Sequence, residues 1–137
     1  MPLFLHERDA YEAQIEVLAQ HRDAFPRAVL HCFTGTRHEL RGYLDLDLHI
    51  GITGWICDER RGQHLAEIVA EIPLDRLMLE TDAPFLLPRT IRPKPRSPRN
   101  ESAHLVWVRD KVAACYGVDA AELGHVTART AVAFFGL

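Results

Sequence analysis

Ala28-Val29-Leu30-His31 is a short apolar run that ends in a histidine, and it is typical of a buried parallel strand. Two other runs share this layout: Pro2-Leu3-Phe4-Leu5-His6 also ends in a histidine, and Leu77-Met78-Leu79-Glu80-Thr81-Asp82 ends in two carboxylates. In a parallel α/β barrel the functional groups sit where strands stop and loops begin. We therefore expect side chains that are distant in sequence to converge at one end of a sheet, where they can share a metal ion.

Helix-like and strand-like segments alternate along the chain as far as Asp82. A third strand is predicted at 49–52 and a fourth at 76–80. Periodic apolar positions predict helices at 8–22, 37–44, 59–72, 102–116 and 126–135, with a further helical segment opened by the capping pattern at 119–122. Short connections between alternating strands and helices are typical of a parallel α/β sheet.

Length and charge limit the class of protein. The 137 residues suffice for one domain with a core, but a complete eight-stranded barrel needs roughly 250. A net charge of -3 argues against a polycationic protein that binds nucleic acid over its whole surface. The three cysteines lack CxxC spacing, which argues against a disulfide framework and predicts a cytoplasmic setting. The sequence shows no signal peptide and no apolar run of about 18 residues, so we expect no membrane partner.

The segment 83–101 differs in composition from the rest of the chain. Between Ala83 and Asn100 it has no acidic residue, five of the eight prolines and five cations, namely Arg89, Arg92, Lys94, Arg96 and Arg99. Loops of this length in compact domains are more often functional than not. We interpret it as a basic, proline-rich substrate loop, with a solvated connection as the alternative.

The residues at the predicted strand ends have the chemistry of a metal site. His6, His31 and Asp82 offer nitrogen and oxygen donors, which admit Mg, Mn or Zn. A carboxylate at Asp82 can bind a cation and accept a proton from water. Glu80 lies two residues earlier and therefore on the same face of the strand. It is either a partner that supports the site or an ordinary salt-bridge residue.

A metal site beside a cationic loop indicates hydrolysis of a phosphate ester, with arginines holding the anionic substrate. Phe33, Trp55 and Phe85 lie in or near the predicted strand-end loops, where an aromatic ring can stack on a base of single-stranded nucleic acid. For each ring, packing beneath a loop is the favoured alternative.

Five motifs, taken together and in order, resemble the TatD family of metal-dependent deoxyribonucleases. They are Leu5-His6-Glu7-Arg8-Asp9-Ala10, Leu30-His31-Cys32-Phe33-Thr34-Gly35, Ile50-Gly51-Ile52-Thr53-Gly54, Leu79-Glu80-Thr81-Asp82-Ala83-Pro84 and Pro98-Arg99-Asn100-Glu101. The resemblance implies an amidohydrolase-like (β/α)8 barrel that uses a divalent metal to remove nucleotides from single-stranded DNA, with RNA as a further substrate. It implies that His6, His31 and Asp82 bind the metal, and that Asp82 is also the catalytic carboxylate.

The resemblance to the family extends to the basic loop. Arg99 and Asn100 match the loop signature of the family, and with Lys94 and Arg96 they are the expected nucleic-acid contacts. Ser102 departs from the family pattern, which commonly has a proline at this position.

Two family features do not occur in this sequence: an HxH-type motif on the first strand and a metal-ligating glutamate on the fourth. We therefore expect residues 1–137 to form a single partial domain, the C-terminal half of a TIM-type (β/α)8 metal-dependent hydrolase barrel, comprising strands five to eight. A half barrel exposes two strand edges and part of its core, so we expect a homodimer or poor solubility. We also expect weak nuclease activity from this chain alone, and DNA repair as its setting.

Two other functions remain open at this point. One is an amidohydrolase-type metalloenzyme that acts on a small amide or ester, although such a substrate leaves the five cations of the loop without a role. The other is a noncatalytic remnant that binds nucleic acid.

Overall fold

Four parallel strands form one sheet in the computed structural model, which describes residues 1–137. The strands are β1 (Leu3–His6), β2 (Ala28–His31), β3 (His49–Ile52) and β4 (Leu77–Leu79), and they are neighbours in that order. The register places His6 opposite His31. Because the strands are parallel, their carboxyl ends lie at one edge of the sheet, as the three apolar runs predict.

Five helices surround this sheet. They are α1 (Tyr11–Gln20), α2 (Arg37–Asp45), α3 (Gln63–Ile68), α4 (Leu105–Tyr116) and α5 (Ala120–Phe135). Short 3-10 turns lie at Arg22–Ala24, Gly54–Cys57, Val69–Glu71 and Ser102–His104. The helices include no candidate for a membrane-spanning segment.

The predicted strands agree with the structure more closely than the predicted helices do. The strands predicted at 28–31 and 49–52 have the bounds found in the structure, while β4 is shorter than predicted. The helix predicted from residue 59 begins only at Gln63, because the Asp58 carboxylate accepts the Arg60 and Arg61 N–H groups and forms a turn there. The segments predicted at 119–122 and 126–135 form one helix, α5, which Asp119 caps.

The two faces of the sheet have different surroundings. On one face, side chains such as Leu30, Ile50 and Leu77 are buried in the main core with the helices. On the other face, Val29 and Met78 pack against Phe134 near the end of α5. Phe4 shares this second face by strand alternation and stays 59% exposed. The second face, which we call the inner face, also carries the histidines at the strand ends.

Candidate functional site

His31 and the two carboxylates after β4 meet at the carboxyl edge of the sheet. β3 lies between β2 and β4, so Glu80 must reach across β3 to contact His31. Gly51 of β3 provides the space, because a Cβ atom at this position would lie 2.2 Å from Glu80 Oε2. A glycine inside a strand is typical of such a close approach.

Each ring nitrogen of His31 faces a different carboxylate. Nδ1 lies 2.9 Å from Glu80 Oε2, and Nε2 lies 3.5 Å from Asp82 Oδ1. The Cys32 N–H donates to the same Glu80 oxygen at 3.1 Å. Burial raises the pKa of the Glu80 carboxyl, although the Cys32 N–H and His31 oppose the shift. Glu80 therefore fixes the orientation of the His31 ring.

The His31–Asp82 pair has the chemistry of two ligands to one cation. When Nδ1–H is donated to Glu80, Nε2 presents a lone pair to the Asp82 oxygen, and a cation between these two acceptors makes their approach favourable. That cation is either a proton on Nε2 or a metal ion. Two ligands of a tetrahedral metal with bonds of about 2.1 Å lie roughly 3.4 Å apart. The 3.5 Å separation of Nε2 and Oδ1 fits this value.

His6 lies at the rim of this arrangement. Its ring centroid is 5.9 Å from that of His31, and its side chain is exposed. No group of three or more His, Cys, Asp or Glu side chains is arranged to hold a metal ion. The structure thus brings together His31, Glu80 and Asp82, while the role of His6 as a third ligand stays a prediction.

A cleft of about 490 Å³ lies beside this arrangement, although neither His31 nor Glu80 lines it. His6 and Asp82 line it, together with Arg8, Trp55 and Leu86 among others. Arg8 was not a predicted site residue, because the apolar periodicity placed it at the start of a helix. In the structure α1 begins only at Tyr11, and Arg8 belongs to the loop after β1. Its position two residues after a strand-end histidine was the available signal.

Asn100 joins the two ends of the basic loop. It is 2% exposed, its backbone N–H donates to Pro84 O at 2.9 Å, and its side-chain Nδ2 donates to Phe85 O at 2.8 Å. The side-chain oxygen accepts the Glu101 N–H at 2.9 Å. Asn100 therefore holds the loop in place, and its amide is not free to contact nucleic acid as the sequence had predicted.

The other predicted nucleic-acid contacts are exposed. Lys94, Arg96 and Arg99 form no ion pair, and none of them lines the cleft. Lys94 lies instead beside a separate cavity with Arg89 and Arg92. Contact between these cations and a nucleic acid stays a prediction.

The three aromatic candidates differ in accessibility. Phe33 is 3% exposed and packs edge-on against Tyr43, so it belongs to the core and cannot stack on a base. Phe85 is 69% exposed in the basic loop. Trp55 is partly buried and lines the cleft.

Comparison with known proteins identifies the family. The family model described as TatD related DNase matches residues 1–136. The chain belongs to the TatD family. The resemblance of the five motifs is thereby confirmed, and the TatD family is a metal-dependent hydrolase family.

Similar TatD proteins come from several bacteria. The chain is 55% identical to the 3′-5′ ssDNA/RNA exonuclease TatD of Erwinia amylovora and 49% identical to that of Escherichia coli K12. Each match covers 100% of this chain and 53% of the relative. The chain therefore spans about half the length of the curated relatives it matches.

Solved TatD structures share the fold. A TatD homologue of Escherichia coli K12 matches with a TM-score of 0.85 and 25% identity, over 100% of this chain and 51% of that one. A TatD-family hydrolase of Entamoeba histolytica matches with a TM-score of 0.83 and 20% identity, over 98% and 50% of the two chains. The predicted fold class, half of a TIM-type hydrolase barrel, is confirmed.

Proposed function

We propose that the carboxyl edge of the sheet serves in metal-dependent hydrolysis of phosphodiester bonds in single-stranded DNA, and also in RNA. The observation that carries this proposal is the His31–Asp82 pair, whose facing acceptor atoms lie 3.5 Å apart while Glu80 holds the ring. The names of the relatives, which specify 3′-5′ exonucleases of single-stranded DNA and RNA, support this substrate and polarity.

Each residue of the site has a proposed task. His31 Nε2 and an Asp82 oxygen hold Mg, Mn or Zn, and His6 approaches from the rim of the cleft. When bound, the metal supplies Lewis-acid polarisation of a phosphoryl oxygen and a lower pKa for water. Asp82 accepts a proton from the attacking water, and Glu80 keeps Nδ1 of His31 protonated so that Nε2 stays a ligand.

One cation in the cleft and three outside it hold the substrate. Arg8 lies in the cleft itself and is suited to the phosphate that is cleaved. Lys94, Arg96 and Arg99 contact phosphates further along the strand, and their exposure and lack of ion pairs support this assignment. A neutral amide or ester would give these cations no role.

The setting and the assembly are also proposals. All three cysteines are free, which supports a reducing cytoplasm, where a 3′-end nuclease would act in DNA repair. β1 and β4 are the edge strands of the sheet, and Phe4 is exposed beside one of them. We propose that the isolated chain pairs with a second copy through these edges. A monodisperse monomer in sedimentation velocity would contradict the pairing.

The catalytic proposal is tested with 5′-labelled single-stranded DNA and Mg²⁺ or Mn²⁺. The chain is assayed alone and joined to the amino-terminal half of its Escherichia coli relative. We expect the joined protein to shorten the strand from its 3′ end and the chain alone to be at least about 100-fold slower, since loss of a metal ligand should exceed the 10- to 100-fold effect of outer partners.

Asp82→Asn in the joined protein should lower the rate by about 10²- to 10⁴-fold, because it removes both a ligand and the proton acceptor. Asp23→Asn is the matched control, since Asp23 is exposed and lies in the 3-10 turn after α1. An unchanged rate for Asp82→Asn would sink the proposal. Lost cleavage with retained strand binding is the expected pattern.

A further inference from the structure

We propose that the indole of Trp55 is the platform on which an unpaired base of the substrate strand stacks, and that Asp58 and Arg61 are its positioning residues. This inference rests on the proposed function. It adds how the site distinguishes a single strand from a duplex. It combines a tryptophan that lines the cleft with a buried carboxylate that holds the cation stacked on its ring.

Trp55 lies within the same cleft as the proposed metal residues. It belongs to the 3-10 turn Gly54–Cys57 that follows β3, and its backbone N–H donates to Thr53 Oγ1 at 3.4 Å. Trp55 is partly buried and lines the cleft together with His6 and Asp82. A base that stacks on this ring would therefore place its own backbone near the site of cleavage.

Arg61 stacks on the indole. Its Cζ atom lies 4.4 Å from the ring centroid, and the indole N–H donates to Arg61 O at 3.3 Å. Such cation–π contact polarises the ring and fixes its tilt. Trp55 also lines the cleft, which Arg61 does not, so this residue can be reached from the cleft by a second stacking partner.

Asp58 holds Arg61 in place. Its side chain is 5% exposed, and its Oδ2 lies 3.1 Å from Arg61 Nε and 3.0 Å from Arg61 Nη2. Its Oδ1 accepts the Arg60 N–H at 3.0 Å. Hydrogen bonds from the Arg60 N–H and from Arg61 lower the pKa of the Asp58 carboxyl. A fixed anion thus orients the guanidinium that covers the ring.

The platform is joined to the basic loop. A Cβ atom on Gly54 would lie 2.3 Å from Leu86 O, so the turn and the loop are in close contact. Arg89 of the loop places a guanidinium nitrogen 3.8 Å from Asp58 Oδ2. The loop that carries the proposed phosphate contacts and the ring that takes the base are therefore held by the same carboxylate.

Stacking on Trp55 accounts for a preference for single strands. Stacking of one base on an aromatic side chain raises affinity by about 5- to 100-fold. Any base can stack in this way, so the contact does not depend on base sequence. A base within a duplex already stacks on its neighbours and must leave them first, at a cost. A frayed or unpaired end therefore binds best.

The test measures binding in EDTA, so it does not depend on cleavage. The chain has two tryptophans, Trp55 and Trp107, and Trp107→Phe leaves Trp55 as the single tryptophan, which is excited selectively over the three tyrosines. We expect a single-stranded oligodeoxyadenylate to quench this fluorescence and to bind about 5- to 100-fold more tightly than an abasic strand of equal length and charge. Equal affinities for the two strands, or no quenching, would overturn the inference.

Variants of Arg61 distinguish a role in positioning the Trp55 ring from a general effect on folding. Arg61→Ala should weaken binding of the adenylate strand but leave the affinity for the abasic strand unchanged, and Arg61→Lys should restore part of the loss. Asp110→Asn on an exposed part of α4 is the control. Equal losses for both strands in Arg61→Ala would contradict a positioning role. Base-dependent quenching, together with no metal-dependent cleavage by the joined protein, would leave the platform standing and remove the proposed function.

Discussion

Of the three histidines on the inner face of the sheet, His31 and His49 lie at opposite ends of neighbouring strands. His31 ends β2, and each of its ring nitrogens faces a carboxylate. His49 begins β3, is 9% exposed, and has no hydrogen-bond partner for Nδ1. The same side chain on the same face therefore has two opposite environments. Carboxylates in contact with the ring nitrogens, rather than the histidine itself, mark the functional end.

The charges around the two rings explain the difference. At the carboxyl end, Glu80 and Asp82 favour a cation beside His31. At the amino end, burial lowers the pKa of His49, and the nearby Arg76 lowers it further. Phe134 packs edge-on against the His49 ring, with the centroids 4.7 Å apart. The His49 ring therefore serves packing at this end.

The largest expected effect on stability comes from the amino end. Phe134 is 1% exposed and covers Val29 and Met78, so Phe134→Ala should lower the free energy of unfolding by about 3–5 kcal/mol. Phe135→Ala is the control, because that ring is 44% exposed. Urea unfolding measures both variants. Equal losses for the two would show that the inner face is not packed by Phe134.

A smaller effect is expected at the carboxyl end. Gly51→Ala places a Cβ atom 2.2 Å from Glu80 Oε2, which must then leave His31. We expect affinity for Mn²⁺ to fall about 10- to 100-fold, as for other losses of a partner that orients a ligand. Calorimetric titration measures the change.

Gly124→Ala is the matched control for this glycine. Gly124 lies within α5, where a Cβ atom would meet the flexible Arg109 side chain at 3.1 Å. This variant should keep its Mn²⁺ affinity and gain about 0.5–1 kcal/mol in helix stability. Unchanged Mn²⁺ affinity in Gly51→Ala would contradict the proposed support of His31 by Glu80.

The smallest effect is a dependence of stability on pH. The pKa of His49 in the folded chain lies below the ordinary value of 6.5, so the unfolded chain takes up the proton first as pH falls. The contribution of the neutral His49 to the free energy of unfolding is therefore complete above the unfolded-state pKa. It is lost as pH falls from that value towards the folded-state pKa. The slope is at most about 1.4 kcal/mol per pH unit.

The groups that face His49 include Arg27, Asp47, Asp75 and Arg76, and none of them is altered in the test. His49→Leu should lose stability more slowly than the parent chain between pH 7.5 and 5.5, which thermal unfolding can measure. His125→Gln, at an exposed position, should behave like the parent. Identical pH profiles for His49→Leu and the parent would contradict a buried, neutral His49.

The sequence predicts the parts of this molecule that depend on local pattern. Short apolar runs that end in polar residues locate the strands and place His31 and Asp82 at one edge, because parallel strands share their direction. Gly51 stands inside a buried strand, which is itself a signal for a close approach. The support that Gly51 gives to Glu80 could therefore have been inferred.

Other features depend on contacts between distant residues. Asn100 is buried because its amide donates to carbonyl groups about 15 residues earlier, and no local pattern shows this. Phe33 follows a strand end like the site residues do, but its ring turns into the core beside Tyr43. Such outcomes depend on how the loops pack.

The most direct measurement compares Mn²⁺ binding by His31→Gln and His49→Gln in calorimetric titrations at pH 7. Both variants remove a histidine from the inner face, and only His31 has carboxylates at both ring nitrogens. The proposed site predicts at least about a tenfold loss of affinity for His31→Gln and no change for His49→Gln. Equal losses in the two variants, or full binding by His31→Gln, would contradict a metal site at the carboxyl edge.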